Sequence, residues 1–319
     1  MTDLIIGSRT DVSDSGVSLR AERFNRHTFW CGQSGSGKTY ALGVVLEQLL
    51  LHTELPLLIL DPNADFTRLN EVRSDADTEE ARALAEIPVR ILHSTSTDGE
   101  QVRARFTDLS VASKAAVLQL DPIADAEEFN VLLHIDVDPK TFNNESFITG
   151  LRASNDPGKL KLANRIENLQ VLEWDLWSRG VEAITDVIDE AHNVCFPTPS
   201  TPVERALTEQ LVQIAAEGRK FGLWLFLSTQ RPTNIHPNVP SQCDNVGLMR
   251  INSPRDLVEL AESFGFISEE VLNQAQDFRQ GQCLFAGGFV DGTVLAQMRT
   301  RITAEGGSDV QVPVPRSST

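Results

Sequence analysis

The chain has 319 residues, 41% hydrophobic and 23% charged, a globular composition long enough for one large α/β domain or one domain with an inserted subdomain. Its 45 Asp and Glu against 28 Lys and Arg give a formal net charge of −17, which excludes wrapping nucleic acid with the general surface. Any DNA contact is therefore confined to a local patch or an internal channel. No leader pattern and no apolar run of membrane-spanning length is present. The four cysteines (Cys31, Cys195, Cys243, Cys283) form no C-x-x-C pair, so a cytoplasmic protein with reduced thiols and no membrane segment is expected.

In chain order, residues 1–26 carry two β-like pieces, LIIG and GVSL, around a polar turn, which predicts a hairpin too small to be a domain. Residues 27–31 (HTFWC) predict a short buried strand and residues 40–51 an apolar-rich helix. The run 55–60 (LPLLIL) has strand length and ends in the turn Asp61-Pro62-Asn63, as a buried parallel strand does. Residues 71–180 are more polar and predict a mainly helical insertion, with a helix near 78–85 and a strand at 89–92. Its clearest piece is a helix over 160–178, with Leu162, Ile166, Leu169, Leu172 and Leu176 on one face and Gly180 to end it. Strands then follow at 181–188 (VEAITDVI), 222–227 (GLWLFL), 246–251, 282–286 and 294–298, with helices at 202–217 and 254–264 between them. This alternation predicts an α/β fold with a mostly parallel sheet covered by helices on both faces. The fold is expected over 1–302, with 303–319 as a flexible tail.

Between the first buried strand and its helix stands Gly32-Gln33-Ser34-Gly35-Ser36-Gly37-Lys38-Thr39, a match to G-x-x-x-x-G-K-[ST], the phosphate loop of P-loop NTPases. A glycine-rich turn entering a helix aims several backbone N–H groups at one point, where the helix dipole also favours negative charge. Glycines are needed there for close approach and for positive φ. ATP is the expected ligand, held by residues 32–40 with Tyr40 at the far end. Lys38 is expected to reach the β- and γ-phosphates and the Thr39 hydroxyl to ligate Mg²⁺.

The strand at 181–188 runs straight into Asp189-Glu190-Ala191-His192. Asp189 suits a Mg²⁺ that keeps most of its waters, and Glu190 suits the base that orients and deprotonates the attacking water. Asp186, inside the same strand, faces away from Asp189 and gains no role from its position. Gln230 stands at the C-terminal end of its strand, the edge where doubly wound sheets place ligands, and can sense the γ-phosphate or hold the lytic water. Arg219 and Lys220 stand at the opposite end of that strand, about 23 Å away. They are either solvated charges or the source of an arginine finger for a neighbouring subunit.

The segments GQSGSGKT, VIDEAHN and EGRKFGLWLFLSTQRP, in that order, resemble the HerA–FtsK superfamily of ATPases, its HerA branch in particular. LILDPNADF looks like that family's second-strand motif, and GQCLFAGGFVDGTVLAQMRTR like the end of its ATPase core. The resemblance implies a RecA-like fold, a homo-hexameric ring, ATP-driven translocation on double-stranded DNA through a central pore, and a nuclease or other effector partner. By position, Asp189 and Glu190 match the family's metal-binding and catalytic acids, Gln230 its sensor and Arg219 its finger. Three features depart from the pattern. Only 26 residues precede His27, where HerA proteins usually carry a β-barrel domain. DPNADF replaces a motif that often has a histidine and a glycine after the proline. The membrane segment and DNA-reading terminal domain of FtsK-type motors are missing, which argues against a septal pump.

Two other readings compete. The literal DEAH suggests a helicase with two motor domains, but too little chain follows His192 for a second one. An ATP-controlled assembly switch or scaffold, moving no DNA, fits the acidic charge. Two basic patches, Lys159 with Lys161 and Arg165, and Arg103 with Arg105, are read equally well as solvated surface or as pore contacts.

Overall fold

In the computed structural model, the structure describes residues 2–11, 15–93, 100–101, 106–135, 144–174 and 195–306. The strands are β1 (Asp3–Arg9), β2 (Gly16–Arg20), β3 (Thr28–Cys31), β4 (Phe226–Thr229), β5 (Asn245–Leu248), β6 (Gln282–Gly287) and β7 (Val294–Met298). They form one sheet in the order β2-β1-β7-β6-β5-β3-β4. Its centre is parallel: β3 pairs with β4 (Cys31 opposite Thr229) and with β5 (Cys31 opposite Leu248). The pairings beyond β5 are antiparallel, and they join the N-terminal hairpin to the same sheet through β7.

All four residues of β3 are buried, because helices cover both faces. Phe29 and Cys31 point into one core with Leu211 and Ala215 of α7 (Pro202–Glu217) and Leu257 and Leu260 of α8 (Pro254–Ser263). Trp30 points the other way, into a core with Ala41, Val44, Val45 and Leu49 of α1 (Lys38–His52). Burying side chains of this size contributes about 1.5–3 kcal/mol each, which fixes α1 across the sheet and so fixes the loop that enters it. The four cysteines are buried, and burial pushes their thiols upward, so they are inert core residues.

Between α1 and α7 lie α2 (Glu79–Glu86), α3 (Val111–Val117), α4 (Ala126–His134), α5 (Asn144–Arg152) and α6 (Pro157–Leu169). Leu118, Leu132, Leu151, Leu162 and Ile166 give this insertion a core of its own. After α8 come the short α9 (Glu269–Asn273) and the β6–β7 pair.

Several sequence-based boundaries move. The helix expected over 160–178 ends at Leu169, because Gln170 adopts a left-handed conformation (φ 51°) and its N–H bonds to the Glu167 carbonyl. Residues 175–180, with Leu176 and Gly180, lie outside the described residues, as does the expected strand 181–188. The run 55–60 is no strand among the described residues, apart from a single bridge position at Leu60. Leu57 and Ile59 instead pack beside Leu42, Leu46 and Phe66. Residues 89–92 likewise carry no strand, only the isolated bridge between His93 and Gln101 beyond them. The strand expected at 222–227 starts at Phe226, because Gly218–Phe221 is a 3-10 turn closed by Gly222 in the left-handed region (φ 74°).

Residues 303–306, expected as the start of the tail, are tied to the fold. Thr303 bridges to Val72, Ala304 N–H donates to the Glu71 carbonyl (2.8 Å), and Gly306 N–H donates to the Asp65 carbonyl (2.9 Å).

Candidate functional site

The loop between β3 and α1 is built for anions. Gly35 (φ 72°) and Gly37 (φ 89°) occupy the left-handed region that side chains disfavour, which lets the chain reverse and enter α1 within a few residues. Gly37 caps α1 without a side-chain hydrogen bond, and the first turn contains no acid. The first-turn N–H groups and the positive end of the helix dipole thus have no anionic side chain of their own.

Neighbouring strands brace the loop from both sides. Gly32 N–H donates to the Thr229 carbonyl (3.3 Å) and Gln33 N–H to the Arg250 carbonyl (2.9 Å). Asn252 N–H donates to Gln33 Oε1 (2.9 Å), and Arg250 Nη2 donates to the Gly35 carbonyl (3.2 Å). Gly281 N–H donates to the Ser36 carbonyl (2.9 Å). The exits of β4 and β5 and the entry to β6 therefore set the loop's shape.

Lys38 is 5% exposed and its Nζ donates to Ser228 Oγ at 2.9 Å. Ser36 is fully buried, and its Oγ has no hydrogen-bond partner among the described residues. This one loop thus carries a buried ammonium, an orphaned hydroxyl and a helix N-terminus without a side-chain cap. A polyphosphate satisfies all three at once.

Thr39 Oγ1 lies 3.4 Å from Asp65 Oδ2. Asp65 follows Asp61, whose carboxylate accepts the N–H groups of Asp65 (3.0 Å) and Phe66 (2.7 Å). Tyr40 uses its hydroxyl to accept the Arg301 N–H (2.7 Å). Ser34 and Gly35 form the exposed crown of the loop.

Gln230 follows β4 directly and is exposed, next to the Thr229 carbonyl that Gly32 engages. Lys38, Thr39 and Gln230 thus share one edge of the sheet. Arg219 is at the other edge, in the turn before β4, where its Nη1 donates to Asp244 Oδ2 (2.9 Å) beside Arg26. Also at that edge is His27, whose Nδ1 accepts the Leu225 N–H (2.9 Å). Burial, with the Arg219 charge second, lowers the His27 pKa to about 4. His27 precedes β3 and Gly32 follows it, five residue steps apart or about 16 Å at strand rise. Arg219 is remote from its own phosphate loop.

Asp186, Asp189 and Glu190 lie outside the described residues, as do Arg103 and Arg105. In the other basic patch, Lys161 pairs with Glu127 (2.8 Å) and Arg165 with Asp125 (2.5 Å), so these two charges serve the insertion's own packing. Sequence reasoning missed Ser228, Arg250 and Asp65 as neighbours of the loop. Only Asp65 carried a signal, as an acid in the turn after an apolar run.

A family profile described as the central domain of the helicase HerA matches residues 4–195. The DNA double-strand break repair helicase HerA of Saccharolobus solfataricus is 33% identical over 108 residues, 34% of this chain and 21% of that protein. A probable helicase of Methanocaldococcus jannaschii is 32% identical over 97 residues, 30% of this chain and 19% of its own length. The matched part of the chain thus spans only about a fifth of these curated relatives. VirB4 of Thermoanaerobacter pseudethanolicus superposes with a TM-score of 0.58 at 15% identity, over 94% of this chain and 97% of that one, which shows a shared fold. With a phosphate loop folded inside a profile match to residues 4–195, the chain belongs to the HerA helicase central-domain family of P-loop ATPases.

Proposed function

We propose that this protein hydrolyses ATP with Mg²⁺ as one subunit of a homo-hexameric ring that moves along double-stranded DNA held in its pore. It works in the cytoplasm with a nuclease or other effector as partner. The observation that carries the ATPase reading is the phosphate loop, with two left-handed glycines, a buried Lys38 and a helix N-terminus without a side-chain cap. The loop's N–H groups bind the phosphates, and Lys38 turns from Ser228 to the β- and γ-phosphate oxygens. Thr39 and Asp189 would hold Mg²⁺, which would neutralise charge building on the phosphates. Glu190 accepts a proton from the attacking water as that oxygen bonds to the γ-phosphorus. The bond to the bridging oxygen then breaks to leave ADP and phosphate. Gln230 orients the water from the end of β4.

Arg219, at the sheet edge opposite the loop, supports a site shared between subunits, with Arg219 entering the neighbour's phosphates. The DNA part of the reading rests on family membership and on relatives named as DNA repair helicases. The net charge of −17 favours a second reading, an ATP-controlled assembly switch that moves no DNA.

The test is hydrolysis and binding by two variants. Lys38→Ala is expected to lose ATP binding, because the cation facing the phosphates is gone. Glu190→Gln is expected to bind ATP and turn over at least about 100-fold more slowly, the size of a general-base contribution. Equal turnover by wild type and Glu190→Gln removes Glu190 from this role, and unchanged binding by Lys38→Ala contradicts the nucleotide site itself.

A further inference from the structure

The turn at residues 61–65 carries an acid to the side of the phosphate loop and is held there against its own preference. Ala64 has φ 60°, a left-handed conformation that residues with a side chain disfavour. Asp61 closes the turn by accepting two backbone N–H groups, and the result is Asp65 Oδ2 at 3.4 Å from Thr39 Oγ1.

The rest of the clamp comes from residues 299–306. The Ile302 and Thr303 N–H groups and the Thr303 hydroxyl all donate to the buried carboxylate of Glu47, in α1. Arg301 is fully buried, with Nη2 donating to the Ala304 carbonyl (3.1 Å) and the guanidinium 5.7 Å over the ring of Phe66, the residue next to Asp65. Gly306 N–H then donates to the Asp65 carbonyl (2.9 Å), so close that a Cβ on Gly306 would sit 1.9 Å from the Ala64 oxygen. This strap touches the acidic turn at both Phe66 and Asp65.

We propose that Asp65 is a positioning residue for the metal bound at Thr39, and that the strap of residues 299–306 fixes it in place. A threonine hydroxyl has one hydrogen and two acceptor lone pairs. With its hydrogen directed to the Asp65 carboxylate, its lone pairs face the cation, and Asp65 adds negative charge just outside the coordination sphere. Outer partners of this kind change metal affinity by about 10–100-fold. The inference rests on the ATPase reading above and deepens it. It adds an acid outside the phosphate loop and the Asp189-Glu190 pair, and it links the end of the described fold to the metal.

The test uses the full chain, a non-hydrolysable ATP analogue and Mn²⁺ read by electron paramagnetic resonance, with nucleotide binding measured separately in EDTA. Asp65→Ala is expected to bind nucleotide in EDTA like wild type but to hold Mn²⁺ about tenfold more weakly once nucleotide is bound. Asp65→Asn keeps an acceptor oxygen and is expected to recover part of that loss. Gly306→Ala, which displaces the strap and leaves Asp65 in the chain, is expected to weaken Mn²⁺ in the same direction. Mn²⁺ affinity equal to wild type in Asp65→Ala overturns the assignment while leaving the ATPase reading intact. Wild-type affinity in Gly306→Ala overturns the strap's part alone. If Gly306→Ala fails to fold, Asp65→Ala still decides the role of Asp65, and Arg301→Lys, which keeps the charge, decides the strap by the same measure. A wild-type chain that binds no nucleotide brings down the ATPase reading, and this inference with it.

Discussion

Gly43→Ala reverses an ordinary rule and tests the packing beneath the site. Gly43 lies in the middle of α1, where alanine is normally about 1 kcal/mol more favourable than glycine. A Cβ there would sit 2.5 Å from Arg301 Nε, 2.6 Å from Cζ and 2.8 Å from Cδ. Arg301 has nowhere to retreat: it is fully buried and its Nε donates to Thr303 Oγ1 at 3.1 Å. If it stays, overpacking costs about 1–3 kcal/mol. If it leaves, Glu47, 1% exposed, loses its buried countercharge, a change worth about 3–5 kcal/mol. After the gain in helix propensity of about 1 kcal/mol, the net loss is about 0–2 kcal/mol if Arg301 stays and about 2–4 kcal/mol if it leaves. The assay is the urea midpoint of Gly43→Ala against wild type. Gly150→Ala serves as control, since it is also within a helix and a Cβ there meets nothing within 4 Å. The control should be neutral or stabilising and Gly43→Ala destabilising. A Gly43→Ala chain as stable as wild type would refute the keyed packing of Arg301 on α1.

Stability should also depend on pH through His27. The unfolded imidazole takes up a proton below about pH 6.5, whereas the folded one does so only near 4, so native stability is full above 6.5 and is lost as pH falls through that window. The loss is about 3 kcal/mol at most, and His27→Asn, which keeps an acceptor for the Leu225 N–H, should flatten the profile measured by urea midpoints. Arg219→Ala should cost no more than about 1 kcal/mol of stability, because its pair with Asp244 is partly exposed. Arg219→Ala subunits mixed with Glu190→Gln subunits should nonetheless recover ATPase, since mixed interfaces rebuild one complete site. A fully active monomer at nanomolar concentration rules that sharing out.

The parts legible in the sequence were those encoded locally. The loop at 32–39 is contiguous, β3 is an uninterrupted buried run, and α7 announces itself with Thr201 and Glu204, which form a capping box around Pro202. What depended on distant partners was not legible. Glu47 and Arg301 are far apart in the chain, and neither sits in a pattern that predicts a buried ion pair. The end of α6 at Gln170 turned on one left-handed residue that carries no glycine signal. Residues 55–60 have the apolar content of a strand, yet among the described residues only Leu60 carries a bridge. At the site, the acid beside Thr39 was visible as a letter in DPNADF, but its proximity depends on the turn at Ala64 and the strap behind it.

The most direct measurement is ATP turnover and duplex binding by the assembled protein as salt is varied, with and without a non-hydrolysable nucleotide. A chain of net charge −17 must confine duplex contact to a few local cations, which the proposed ring would place in its pore. Each neutralised phosphate contributes about −0.9 to the log–log salt slope on B-DNA, so one contact per subunit in a six-membered ring predicts a slope near −5. Sequence preference should be slight, because phosphate contacts carry no base readout. Long duplex should raise turnover, and binding should require the assembled, nucleotide-bound state. If duplex is not bound at low salt and leaves turnover unchanged with the partner present, the protein is an ATP-controlled switch and not a DNA motor.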